Sequence, residues 1–384
     1  MTRHYSTSDF FRQMPNTLLA RYFAGQGVLS ELDFAAMKDT QPKELLAAWL
    51  DLPDDKRNRM EAEFRDIFEM SCARGFCAIR DEAEWQLRAE PQKFTEFIEK
   101  LSALASHSER AIVTFLDHFD FWEGATLFYH ADSLSYWRKR KNLPHTPIAL
   151  DMASRDELAK MISNYFHHAE GRGKNCVVDL LRRGERDYFF AYPEDYSQES
   201  IEWVKGEFAR RPHNPAFEVI YVYSQNEGSL DLNFRGPRKN IEPLQAMFAT
   251  AILKLDELPT DSDDERVYDL SPLLSRDFNF VFDVGSGIQS VSVKRLRLSY
   301  RVKKGDRITL EANVSYNSKA VYDLLDKISK SLSLSLYNVT LVELAATVLG
   351  DAKKPPKPVT IRITHPNSCS LKYDELDMKL REML

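Results

Sequence analysis

The clearest indication of the fold class is the segment FEVIYVYSQNEGSLDLNFRG, residues 217–236. It holds two apolar runs on either side of a short polar segment that contains Gly228, a pattern typical of a β-hairpin. In the second run Leu230, Leu232 and Phe234 alternate with polar residues. Such a strand buries one face and exposes the other to water, so we expect an antiparallel sheet in this part of the chain.

Upstream of this hairpin the same period-two pattern already begins near residue 173. The segment NCVVDLLRRGERDYFFAYPED, residues 175–195, holds two apolar runs around a turn at Gly184 and predicts a first hairpin. We interpret SQESIEWVKGEFARR, residues 197–211, as a helix between the two hairpins, and residues 240–258 as a helix that closes the region. The predicted order of elements is ββαββα.

Downstream, PTDSDDERVYDLSP, residues 259–272, is polar, acidic and flanked by proline, and it is the best candidate for a linker. The order ββαββα then recurs in the remaining residues. The predicted elements are strands 290–302 and 307–314, helix 318–331, strands 337–349 and 357–369, and helix 373–384.

The N-terminal part of the chain predicts helices almost throughout. Ser106 with Glu109, and Ser154 with Glu157, each have the spacing of a capping box at the start of an amphipathic stretch. We therefore predict an α+β protein: an irregular all-helical N-terminal domain, then two α+β units with antiparallel sheets and helices on one face. The predicted domains are 1–150, 151–260 and 261–384, the last beginning with an acidic linker at 261–270.

Composition excludes several classes of protein. The 384 residues are 43% hydrophobic and 29% charged, as in ordinary globular proteins, and their net charge is −6. No run of 18 apolar residues is present, so no membrane contact is expected, and the first 16 residues lack the apolar stretch of a signal peptide. Four scattered cysteines are too few for a disulfide framework, which favours a cytoplasmic location.

No motif predicts a cofactor or a catalytic nucleophile. The loop EGRGKN, residues 170–175, lacks the strand before it and the hydroxyl residue that a phosphate-binding P-loop requires. Cys72 and Cys77 are five residues apart, with no second pair at the spacing of a zinc site. The sequence also has no G-x-S-x-G segment. We therefore predict no catalytic residue, no metal ligand and no cofactor, and favour a protein without enzymatic activity.

Acidic residues leave one enzymatic alternative open, a metal-dependent hydrolase or nuclease. Asp117, His118 and Asp120 lie close together in the sequence and could form a metal site with His130 or Asp132. Asp179, Glu185 and Asp187 similarly border a predicted hairpin turn. A solvated helix face and a polar turn account for these residues equally well.

The strongest functional lead is the basic hairpin VSVKRLRLSYRVKKGD, residues 291–306. Strand geometry places Arg295, Arg297 and Arg301 on one face and apolar residues on the other. Val291 and Val293 share the parity of the arginines, so either both faces are covered there or a bulge near residue 294 shifts the register. An arginine-rich sheet face suits bidentate contacts with phosphate groups.

A second basic run lies in SYWRKRKNLPH, residues 135–145, directly after Tyr136 and Trp137. Cations beside aromatic side chains are suited to nucleic-acid contact, although basic runs are also common on solvated surfaces.

We hypothesise a non-enzymatic binding protein that contacts the nucleic-acid backbone through its basic sheet face and a protein partner through its helical domain. Two alternatives remain: a protein–protein interaction module without nucleic acid, and the hydrolase or nuclease. The nucleic-acid hypothesis requires arginines that are not neutralised by internal carboxylates. The predicted nucleic-acid contacts are Arg295, Arg297, Arg301, Lys303, Lys304, Arg307, Arg138, Lys139, Arg140 and Lys141.

Overall fold

A computed structural model describes residues 4–135, 137–204, 206–259, 266–303, 305–349 and 356–384. The chain divides into two compact units. The helical unit consists of Met1–Ser133, Leu181–Gly184 and Gln198–His213, and the sheet unit of Leu134–Leu180, Glu185–Ser197 and Asn214–Leu384. Residue 134 is therefore the first to join the sheet unit, which holds both α+β regions except for Leu181–Gly184 and Gln198–His213. The domain boundaries at 150 and 260 stay predictions.

The first 133 residues form eight helices within the described part of the chain. The Ser106 hydroxyl accepts a hydrogen bond from the Glu109 backbone N–H at 3.1 Å, which is the predicted cap. A cluster of buried aromatic rings that includes Phe11, Phe23 and Phe64 fills the space between the first helices. In order, the helices are α1 Thr7–Gln13, α2 Asn16–Gly25, α3 Lys43–Leu50, α4 Asp54–Met70, α5 Ala73–Gln86, α6 Pro91–Ala103, α7 His107–Asp117 and α8 Phe119–Ser133.

Strands and two further α-helices follow up to residue 251. They are β1 Arg138–Arg140, α9 Met152–Glu170, β2 Cys176–Arg183, β3 Arg186–Pro193, β4 Gln198–Val204, β5 Glu207–His213, β6 Val219–Ser224, β7 Ser229–Phe234 and α10 Ile241–Ala251. Five of the strands form the first sheet in the order β1-β7-β6-β3-β2, with the pairs β1–β7, β7–β6 and β6–β3 antiparallel. Phe166 of α9 and Phe248 of α10 pack with Leu232 of β7 in one apolar core.

The second sheet and its helices complete the chain. The elements are β8 Ile288–Tyr300, β9 Arg307–Glu311, α11 Ala320–Ser329, β10 Tyr337–Val348, β11 Lys357–Thr364, β12 Ser368–Cys369 and α12 Glu375–Arg381. The strand order is β12-β11-β10-β8-β9, with every neighbouring pair antiparallel. Leu296 of β8, Val342 of β10 and Ile361 of β11 point into a core that also contains Leu325 of α11 and Leu380 of α12.

These elements confirm the α+β class, with most helices in the N-terminal half and antiparallel sheets with helices after it. The order ββαββα occurs in the second α+β region, where a short strand, β12, is added. The helix predicted over residues 197–211 is wrong, because this segment forms the two-stranded hairpin β4–β5. Ile201 and Trp203 are two residues apart and share a strand face, and Gly206 takes the positive φ of +83° in the turn.

Two local predictions have opposite outcomes. Helix α9 begins at Met152, and its cap is Asp151, three residues before the predicted cap Ser154, because the Asp151 carboxylate accepts the hydrogen bond from the Ser154 N–H at 2.9 Å. Of the two alternatives left open for the start of β8, the strand register shows the bulge near residue 294. Arg295 pairs with Glu343 and Val293 with Leu344, so that Lys294 is the extra residue between them.

Among the described residues, no helix combines the length and the apolar character that crossing a lipid bilayer requires.

Candidate nucleic-acid interface

The polar face of the second sheet carries a row of alternating charges across four strands. Arg362 of β11, Glu343 of β10, Arg295 of β8 and Glu311 of β9 are paired in register. Arg295 donates to Glu343 at 3.0 Å and to Glu311 at 2.7 Å, and Arg362 donates to Glu343 at 2.8 Å. The Glu343 side chain is only 4% exposed, so water weakens its ion pair with Arg295 little. The charge of Arg295 is therefore neutralised within the protein.

The next row on the same face has no carboxylate. Arg297 pairs across the sheet with Thr309 on one side and Leu341 on the other. Its guanidinium donates only to the hydroxyl and carbonyl oxygens of Thr340, at 3.3 and 3.4 Å. Burial lowers the pKa of Arg297, and the charges of Arg307 and Arg362 lower it further. Arg297 is therefore a half-buried cation without an ion-pair partner among the described residues.

The end of the basic hairpin is exposed to solvent. Arg301 donates to the backbone oxygen of Ser335 at 3.3 Å. Lys303 forms an ion pair with Asp306 at 3.3 Å, with both side chains more than half exposed. Arg307 is exposed as well. Lys304 lies outside the described residues.

In strand β1 two of the three predicted contacts bind groups within the protein. Lys139 is only 11% exposed, and its ammonium group forms ion pairs with Glu227 and, at 3.5 Å, with Asp231. Burial disfavours the charged lysine, but attraction to these two carboxylates outweighs it and raises the pKa of Lys139. Arg140 is 8% exposed and donates to the side chain of Gln245 at 3.2 Å. Lys139 and Arg140 therefore serve internal contacts.

Arg138, on the same strand, is half-buried and faces Arg238, which lies in the turn after β7. Burial lowers the pKa of Arg138, and repulsion from Arg238 lowers it further. Neither arginine has a carboxylate partner among the described residues. Arg297, Arg138 and Arg238 are the three arginines that we call the unpaired set.

The unpaired set lines one groove in the sheet unit. A concavity of about 760 Å³ is bounded by Arg297, Arg362 and Glu343 on the polar sheet face and by Arg138 and Arg238 on the opposite side. A second concavity, of about 490 Å³, shares Arg138, Arg238 and Asn367 with the first and also contains Lys141 and Glu242. We call the two together the cationic groove. Glu343, the carboxylate that lines the larger concavity, is already paired with two arginines.

The structure thus brings together two sequence segments that are more than 150 residues apart. Backbone pairing accounts for this. Strand β1 joins β7 on one side, and on the other the Lys139 N–H donates to the Asn367 carbonyl oxygen at 2.9 Å, in the turn between β11 and β12. Arg238 was missed in the sequence because it stands in a short polar turn without a pattern. Arg362 lies within the predicted strand 357–369 but was not among the predicted contacts.

The residues considered for a metal site do not converge. Asp117 forms an ion pair with Arg21 at 2.5 Å, and the ring of His118 packs against Phe97 and Phe121. Asp132 binds Arg183 at 2.9 Å. Among the described residues, no group of three or more histidine, cysteine or acidic side chains could hold a metal ion.

Comparisons of the chain with protein-family models, with curated proteins and with solved structures give no match.

Proposed function

We propose that the sheet unit binds the sugar–phosphate backbone of nucleic acid in the cationic groove. The observation that carries this proposal is the unpaired set. Three arginines without a carboxylate partner among the described residues line one concavity. Burial and repulsion from Arg238 disfavour the charge of Arg138, and burial together with the charges of Arg307 and Arg362 disfavours that of Arg297. A bound phosphate group relieves both costs, because it replaces lost solvation with charge-assisted hydrogen bonds and offsets the repulsion.

The contact set that we propose contains only some of the basic residues in these segments. Arg138, Arg238 and Arg297 form its centre. Lys141 extends it through the smaller concavity, and Arg301, Lys303 and Arg307 extend it along the hairpin. We leave out Arg295, Lys139 and Arg140, because their hydrogen-bonding capacity is directed to groups within the protein. Backbone contact of this kind is independent of base sequence.

The test is the binding of fluorescently labelled 20-nucleotide probes to the full chain over a series of salt concentrations. Duplex and single-stranded DNA and RNA are each compared. Binding should weaken steeply with salt because phosphate contacts release counterions. The triple variant Arg138→Gln, Arg238→Gln and Arg297→Gln should bind at least tenfold more weakly. Loss of three contacts should also lower the slope of log K against log salt by roughly 2 to 3.

A matched control separates local contacts from net charge. Arg12→Gln, Arg65→Gln and Arg210→Gln remove the same charge from exposed positions in the helical unit. This control variant should retain nearly all of the affinity. If no probe binds at low salt, or if the two triple variants weaken binding equally, the proposal is wrong.

A protein partner on the helical unit is a second candidate, favoured by the hairpin β4–β5. Ile201, Trp203 and Phe208 lie on one face and are 63%, 74% and 55% exposed. A two-stranded ribbon is marginally stable in water, and a cluster of exposed aromatic side chains is typical of interaction sites. A protein that co-purifies with the chain after nuclease treatment, and is lost with Trp203→Ser and Phe208→Ser, would support this role.

A further inference from the structure

The larger concavity of the cationic groove carries hydroxyl side chains beside its arginines. Thr360 and Thr364 project from β11 on the same face as Arg362, and Ser368 and Ser370 follow in and after β12. The side chains of Thr360, Thr364 and Ser368 have no hydrogen-bond partner among the described residues. We call these three the hydroxyl set.

Hydroxyl groups complement a different part of a ligand than arginines do. A guanidinium only donates, and phosphate oxygens only accept, so the unpaired set alone satisfies a phosphodiester. A serine or threonine hydroxyl both donates and accepts, as does the 2′-hydroxyl of ribose. Asn367, which lines both concavities, also offers a donor and an acceptor in one side chain.

The size of the groove indicates a ligand longer than one phosphate group. Its two concavities measure about 490 and 760 Å³, whereas one water molecule takes up about 30 Å³ of liquid. Arg138 and Arg238 face both concavities, so a chain of linked phosphates and sugars can pass between them. Among the described lining residues none is Phe, Tyr or Trp, so these walls offer contacts to sugar and phosphate rather than stacking of bases.

We propose that the cationic groove binds RNA, with the unpaired set on its phosphates and the hydroxyl set on its ribose 2′-hydroxyls. This inference rests on the proposed backbone binding and adds the choice of RNA over DNA. The 2′-hydroxyl is the group by which a protein distinguishes the two nucleic acids at a given site. DNA should bind through the phosphate contacts alone, and therefore more weakly.

The test compares three single-stranded probes of identical base sequence: 12-nucleotide oligo(U) RNA, its deoxyuridine counterpart and its 2′-O-methyl counterpart. With the full chain at one salt concentration, RNA should bind at least fivefold more tightly than the deoxy probe. The methylated sugar cannot donate, so that probe should bind like DNA. The variant Thr360→Val, Thr364→Val and Ser368→Ala should reduce the preference for RNA below twofold and leave DNA affinity unchanged.

The control variant is Thr309→Val with Thr347→Val, which removes two hydroxyls from strands of the same sheet outside the groove. It should keep the preference for RNA. Equal binding of the RNA and deoxy probes to the wild-type chain would overturn this inference while backbone binding stands. A preference that survives in the hydroxyl variant, or that the 2′-O-methyl probe retains, would overturn it too. Failure of all three probes to bind would instead contradict the proposed function itself.

Discussion

Arg295 and Arg297 lie two residues apart on β8 and share the polar face of one sheet, yet their surroundings differ. Arg295 is flanked by Glu343 and Glu311 and forms ion pairs with both. Arg297 is flanked by Leu341 and Thr309 and has no carboxylate partner among the described residues. One position stabilises the sheet, and the other leaves a cation open to a ligand.

Strand β1 repeats this difference on a smaller scale. Lys139 is neutralised by Glu227 and Asp231, while its neighbour Arg138 faces a second arginine and the groove. In both strands the residue on the facing strand, and not the local density of basic residues, decides whether a cation is available. Substitutions at these positions test whether the facing residue decides which cation is available.

Removing the central carboxylate of the charge row should have the largest effect. In Glu343→Gln, both Arg295 and Arg362 lose a buried anionic partner. Breaking a fully buried pair costs about 3–5 kcal/mol. Because Arg362 is half exposed, we expect the free energy of unfolding to fall by about 2 kcal/mol. Urea denaturation followed by circular dichroism measures the change.

The substitution removes the carboxylate partner of Arg362 and one of the two partners of Arg295, so this variant should bind nucleic acid more tightly than the wild-type chain. The matched control is Glu311→Gln, whose side chain is 44% exposed, and which should cost under about 1 kcal/mol. Equal losses of stability in the two variants would contradict the special role of Glu343.

The second prediction compares the two arginines directly. Arg297→Gln should weaken nucleic-acid binding about fivefold, or ~1 kcal/mol, and lower the salt slope by about one, with little loss of stability. Arg295→Gln should lower the stability of the protein and leave nucleic-acid binding almost unchanged, since the partners of Arg295 are carboxylates within the sheet. Binding isotherms and urea midpoints on both variants test this, and similar binding losses in the two would remove the distinction.

Local patterns in the sequence were sufficient for the geometry of this sheet face. Alternation along β8 placed Arg295 and Arg297 together, and the changed parity of Val291 and Val293 left two alternatives, one of which was the bulge that lies at Lys294. The charge row could not be predicted in the same way. Glu343 is 48 residues from Arg295 in the chain, and only the register of β10 against β8 brings them together.

The cationic groove could not be predicted either, because strand pairing brings its residues together from distant parts of the sequence. Arg138 was a predicted contact, but it is far from Arg238 in the sequence, and Arg238 lies in a segment whose local pattern indicates only a polar surface. The hairpin β4–β5 shows a different limit. Ile201, Val204 and Phe208 have the i, i+3, i+7 spacing of a helix face, whereas Trp203 and Phe208 are opposite each other on paired strands, and the Gly206 turn decides between the two.

The smallest expected effect is a pH dependence in the ion pairs of β1. Burial raises the pKa of Glu227, but attraction to Lys139 and Arg186 outweighs it and brings that pKa down to about 2. A carboxylate with a depressed pKa stabilises the fold above its ordinary pKa, roughly 4.5, and this contribution is lost as the pH falls toward 2.

The variant Glu227→Gln should therefore be less stable than the wild-type chain at pH 6. The difference between their urea midpoints should narrow between pH 4.5 and 3. It should remain modest because the Glu227 side chain is 38% exposed. A difference that stays constant with pH would show that Glu227 acts through packing, and would remove the contrast between Lys139 and Arg138.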